Sequence, residues 1–151
     1  MSWKAQRIAW TLMLMVSIAG LLGAFGRGPL SSAHLGDMTS PLAIDYERIL
    51  RLQAPTEVSI YVARTGINPD STATVWIDRN WLGEMEIISI TPEPETTAAS
   101  ANRIVYTFRV DPSETPVKLR YKLEARSIGR VSGHIGIVNG PSYRFSQFAF
   151  P

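Results

Sequence analysis

From residue 8 to residue 25 the chain reads IAWTLMLMVSIAGLLGAF, eighteen residues without a single charge. As a helix this run rises roughly 27 Å at about 1.5 Å per residue, close to the ~30 Å hydrocarbon thickness of a bilayer. It therefore reads as a transmembrane anchor, and it dictates where the rest of the chain sits. Lys4 and Arg7 precede it and only Arg27 follows closely. The excess of positive charge ahead of the run places residues 1–7 in the cytoplasm and everything after residue 25 outside it. Small residues at Ala24-Phe25-Gly26 and Ser31-Ser32-Ala33 would suit a signal peptidase. A cleaved signal has an apolar core of only about 7–15 residues, so the length favours a retained single-pass anchor. Trp3 and Trp10, near the cytoplasmic end, fit either interfacial anchoring or plain contact with lipid.

The formal charge of +2 belongs to the anchor. Without Lys4, Arg7 and Arg27 the fifteen basic residues fall to twelve against thirteen acidic ones. The exported part is nearly neutral and carries no electrostatic footprint for nucleic acid. There is no cysteine, which excludes disulfides, thiolate metal sites, cysteine nucleophiles and a lipid anchor on cysteine. Residues 26–41 are rich in Gly, Ser and Pro and have no hydrophobic period, so they read as a tether, with His34 a solvated linker residue.

Beyond Pro41 the hydrophobic period becomes two, the mark of half-buried strands. Leu42, Ile44 and Tyr46 alternate with Ala43 and Asp45, and residues 49–52 continue that element after a bend. Val58, Ile60 and Val62 alternate in residues 56–62. Strands also fit residues 73–78, 85–90, 104–110, 117–124, 131–138 and 143–150, while residues 96–101 read as a low-complexity loop. Asn68-Pro69-Asp70, Asp111-Pro112-Ser113 and Asn139-Gly140-Pro141 supply turns. In the last strand Tyr143 and Phe145 share one parity and Phe148 and Phe150 the other, so a bulge near Ser146-Gln147 is needed to bring all four to one side. Roughly seven to eight strands with no long helical period predict residues 42–151 to be one all-β domain, an immunoglobulin-like antiparallel β-sandwich.

Chemistry is sparse. Two histidines, His34 and His134, give no spaced zinc motif. His134 shares parity with Ser132 and Gly136 and reads as an exposed strand residue without a nucleophile elbow nearby. No glycine-rich loop has the lysine that phosphate cradling needs. Glu84 with Glu86, and Glu93 with Glu95, could be examined as glycosidase pairs, but nothing around them would bury one carboxyl and raise its pKa. No enzyme activity, cofactor or metal is expected. Two surfaces are candidates for contact. In Trp76-Ile77-Asp78-Arg79-Asn80-Trp81, Val75 and Ile77 facing the core would expose Trp76, with Trp81 past the strand end. Trp76, Asp78, Arg79 and Trp81 then form a partner-binding patch, or a glycan-binding one built on the two tryptophans. The alternative is that Trp76 is a core tryptophan. The second surface is a basic row of Lys118, Arg120 and Lys122, with Arg109 beside it across the sheet.

Arg27-Gly28-Pro29-Leu30-Ser31 after a helix, Ile44-Asp45-Tyr46-Glu47-Arg48, Gln53-Ala54-Pro55-Thr56, Ile90-Thr91-Pro92-Glu93-Pro94, Val105-Tyr106-Thr107-Phe108-Arg109 and Arg144-Phe145-Ser146-Gln147-Phe148 together resemble a group of small proteobacterial proteins. These are membrane-anchored, carry a periplasmic β domain and are often encoded beside a multi-pass membrane protein of unknown function. The resemblance spans nearly the whole chain and brings no catalytic residues. It implies a non-catalytic, membrane-tethered periplasmic interaction module, accessory to a multi-pass protein of the bacterial inner membrane. Its partners would be the inner membrane through residues 8–25 and another membrane or periplasmic protein.

Overall fold

A computed structural model describes residues 3–21, 31–37 and 39–151. The first element is helix α1 (Trp3–Leu21), which covers most of the expected span and buries no side chain. Its large apolar residues, Trp10, Leu12, Met13, Leu14, Met15 and Val16 among them, are exposed. Arg7 lies over the Trp3 ring, 4.8 Å from its centroid. Among the described residues no helix is long and apolar enough to cross a membrane. Lys4 and Arg7 occupy the first turns of α1, and the last part of the expected span, residues 22–25, lies outside the described residues.

The remainder is all-β, as the period-two patterning predicts. One sheet contains β1 (Ser32–Leu35), β2 (Leu42–Glu47), β4 (Pro55–Val62), β6 (Met85–Thr91) and β9 (Val117–Ala125), in the order β1-β2-β4-β9-β6. The other contains β3 (Ile49–Arg51), β5 (Thr72–Asp78), β7 (Thr96–Ala99), β8 (Arg103–Arg109), β10 (Gly129–Ile137) and β11 (Ser142–Phe150), in the order β3-β11-β10-β5-β8-β7. A short helix α2 (Arg79–Gly83) joins β5 to β6. We call the two sheets A and B. Every strand pairing is antiparallel except that of β3 with β11.

The core lies between the sheets and follows the alternation. Leu42, Ile44, Val58, Ile60, Val62, Leu119, Tyr121 and Leu123 point inward from sheet A, and Val75, Ile77, Tyr106, Phe108, Val131 and Ile135 from sheet B. Tyr121 meets Tyr106 and Phe108 edge-on, at centroid distances of 5.6 and 6.4 Å.

Five expectations are corrected. There are eleven strands among the described residues, rather than seven or eight. Two of the additional ones are edge strands with weak patterns. Thr96–Ala99 pairs with β8 instead of looping, and Ser32–Leu35, inside the expected tether, pairs with β2 and buries Ala33. Residues 49–52 do not extend β2: the chain turns a corner at Arg48 and β3 joins the other sheet. No bulge interrupts β11, whose register with β10 is continuous from Ser142 to Ala149. Its inward residues are Phe145, Gln147 and Ala149, and Phe148 points out, 51 % exposed. A polar side chain in the core replaces the anticipated phase slip.

Candidate functional site

The predicted patch separates into an outer and an inner part. Val75 and Ile77 are buried, which turns Trp76 to the outer face of sheet B, where it is half-buried. Register places Trp76 between Val105 on β8 and Gly136 on β10. A Cβ on Gly136 would come within 2.7 Å of Trp76 Cε2, so only glycine lets the indole lie against the strand. Arg103 sets its guanidinium 5.4 Å from the indole centroid, a cation–π distance. Asp78 pairs with Arg103 in register. Its Oδ1 accepts the backbone N–H of Asn80 at 2.9 Å, capping α2, and Oδ2 lies 3.8 Å from His134 Nδ1. Trp76, Asp78, Arg103 and His134 thus form one cluster on the sheet face. Arg79 is diverted from it, donating from Nη1 to the Ser100 carbonyl at 3.3 Å.

Trp81 belongs to the core and not to this surface. It is 1 % exposed, because Asp78 nucleates α2 and the helix folds the chain back over the sandwich, carrying Trp81 and Leu82 inward. Its ring packs edge-on against Phe145, 5.0 Å between centroids. Nε1–H donates to Gln147 Oε1 at 3.0 Å, and Gln147 Nε2 in turn donates to the Glu47 carbonyl at 2.8 Å. The buried amide therefore has both ends satisfied, which is what allows Gln147 an inward position. A Cβ on Gly133 would fall 2.5 Å from Trp81 Cβ, so a second glycine of β10 admits the second tryptophan from the opposite side.

The basic row is real on sheet A, where Lys118, Arg120 and Lys122 are exposed along β9. Lys118 stands 5.4 Å from the Tyr61 ring centroid and 3.9 Å from Glu57. Arg109 is not beside it across a sheet. It lies on β8 in sheet B, because the turn at Asp111 carries the chain from one sheet to the other instead of closing a hairpin. Arg109 donates to Glu95 at 2.8 Å, and that bond with the adjacent charge holds its guanidinium above its ordinary pKa.

Three of the four carboxylates considered for catalysis are engaged at the surface. Glu84 accepts from the Ser127 hydroxyl, Glu86 lies 3.9 Å from Arg126, and Glu95 takes Arg109. On the outer face of sheet A a cleft of about 460 Å³ is lined by His34, Asp45, Tyr61 and Arg64 among others. There β1 sets His34 opposite Asp45, and Nδ1 hydrogen-bonds Asp45 Oδ1. His34 is a strand residue, contrary to the linker reading. Among the described residues no group of three metal-ligating side chains converges.

No protein-family model matches the chain, and no curated protein is similar to it. Among solved structures it is similar to a cohesin module from the family 33 glycoside hydrolase of Clostridium perfringens ATCC13124. Identity is 9 %, the match covers 73 % of this chain and 96 % of that one, and the TM-score is 0.47.

Sequence reasoning put Trp76 and Asp78 on one face, as the structure does, but did not set Arg103 and His134 beside them. The glycines of Gly133-His134-Ile135-Gly136 were the available signal, since glycine inside a strand marks a close approach. Which residues do the approaching depends on register between strands far apart in sequence.

Proposed function

We propose that the protein is a non-catalytic interaction module held at the bacterial inner membrane by its N-terminal apolar segment, with an immunoglobulin-like sandwich on the periplasmic side. It serves a multi-pass membrane protein as an accessory subunit. The observation that carries the reading is α1: a helix that is uncharged from Ile8 onward and buries none of its own side chains leaves that apolar surface to be covered from elsewhere. The uncharged run continues through residues 22–25, and its flanking charges support a cytoplasmic N-terminus. The passages from β2 to β3 and from β8 to β9, which switch sheets, support the immunoglobulin-like arrangement. On the domain, Trp76 with Asp78, Arg103 and His134 supplies the aromatic and charged mixture found at partner-binding centres.

Washing native membranes at high pH, followed by mild detergent extraction of the tagged chain, tests this. The chain stays with the membrane pellet and brings down a multi-pass protein, and Trp76→Ala weakens that copurification without unfolding the domain. Release of the chain into the supernatant overturns the anchored reading. A glycan-binding alternative now rests on Trp76 alone, since Trp81 is buried. Titration of intrinsic tryptophan fluorescence with envelope glycans separates the two.

A further inference from the structure

We infer that the β3 corner of sheet B docks on the surface of an anionic bilayer, laying the domain against the membrane to which α1 ties it; the inference rests on the membrane-anchored reading. Three large apolar side chains are exposed together there. Phe148 on β11 is in register with Ile49 on the edge strand β3, which is 44 % exposed. Gly129 pairs with Ala149, so Ile128, 57 % exposed, lies alongside the end of β11. Isolated exposed apolar residues need no explanation, but a contiguous group rimmed by charge marks an interaction site.

The rim is cationic. Arg51 follows Ile49 on the same face of β3, Arg130 is in register with Phe148, and Arg48 begins the corner. All three are exposed, and among the described residues none forms an ion pair. The guanidinium's rigid fork suits phosphate, and apolar side chains framed by arginine are suited to a headgroup layer.

The route of the chain selects a bilayer as the occupant. The backbone N–H of Arg48 donates to the Ser31 carbonyl at 2.6 Å, and the Phe148 N–H donates to the Arg48 carbonyl at 2.8 Å. The segment arriving from α1 therefore enters the sandwich at this corner. Only residues 22–30 separate α1 from Ser31, a reach of at most about 30–35 Å even fully extended. The arginine-rimmed patch is thus the part of the domain held nearest to whatever receives α1.

The absence of cysteine from the sequence makes single-site labelling clean. The full chain is reconstituted into phosphatidylcholine vesicles with or without phosphatidylglycerol, carrying an environment-sensitive fluorophore at Ser146→Cys, two residues from Phe148 on the same face. A control carries it at Ala98→Cys on β7, four strands away across sheet B, roughly 19 Å. The Ser146→Cys label becomes shielded from an aqueous quencher on anionic vesicles only, high salt reverses the shielding, and the Ala98→Cys label stays accessible. Combining Arg51→Glu and Arg130→Glu removes the shielding, each arginine contributing roughly fivefold to surface association, while flotation with the vesicles is unchanged. Equal accessibility of the Ser146→Cys label on both vesicle types, with the chain still floating, overturns the docking and leaves the anchor intact. Shielding of both sites alike overturns it as well. Failure of the chain to float on either vesicle shows instead that the anchored reading is wrong.

Discussion

Trp81 shows how much one side chain can depend on what surrounds it. Its ring fills the space between Gly133 and Phe145, and its N–H satisfies a buried amide. Trp81→Ala should lower stability by about 3–5 kcal/mol through the cavity alone. Trp81→Phe should cost less, about 1–3 kcal/mol, by leaving Gln147 Oε1 unpaired. Urea unfolding followed by circular dichroism distinguishes them. Tyr121 is the reverse case. Its hydroxyl is buried with no hydrogen-bond partner among the described residues, so Tyr121→Phe should be neutral or stabilising, by up to about 1–3 kcal/mol. Burial, aided by Tyr106, pushes the Tyr121 phenol well above its ordinary 10.0. The folded state thus holds its proton more tightly than the unfolded chain does. Stability from this group is constant below pH 10 and declines as pH rises above it, and Tyr121→Phe should flatten that alkaline decline in a series of melts.

At the scale of elements, β1 and β10 carry the lessons. Ser32–Leu35 was legible only as a tether because four residues flanked by Gly, Ser and Pro give no period long enough to count. What makes it a strand is the vacant edge of β2, with Ala33 opposite Tyr46 under cover. Ala33→Asp should therefore cost at least about 1–3 kcal/mol, since it places a carboxylate where solvent is excluded. A free tether would tolerate the change silently, and the shift in urea midpoint decides. In β10, Gly133 and Gly136 lie on opposite faces of the strand. One admits Trp81 to the core and the other seats Trp76 on the surface, so a single strand fixes the position of both tryptophans.

For the whole molecule, the separation between helix and sandwich matters most. Since α1 buries no side chain, removing residues 1–30 should leave the domain folded, with its melting temperature within a few degrees of that of the full chain. Differential scanning calorimetry of the shortened chain checks this, and a large fall would show that α1 is part of the core. The same separation divides the functional work. On our proposal the N-terminal segment supplies location, the β3 corner faces the membrane surface, and the Trp76 cluster, near the middle of sheet B, is left for a protein partner.

The alternation of Leu42, Ile44 and Tyr46, of Val58, Ile60 and Val62, and of Leu119, Tyr121 and Leu123 determined by itself that the domain is all-β and which residues make its core. A strand's two faces are written in its own residues, so one buried face is a local signal. Tertiary structure alone decided that β8 and β9 lie in different sheets, that Arg109 stands apart from Lys118, that Gln147 is acceptable in the core, and that Trp81 is inside while Trp76 is outside. Each of these depends on register between strands distant in the chain, and on whether a partner such as Gly133 or Gln147 stands at the matching position. The period of a single strand carries no record of either.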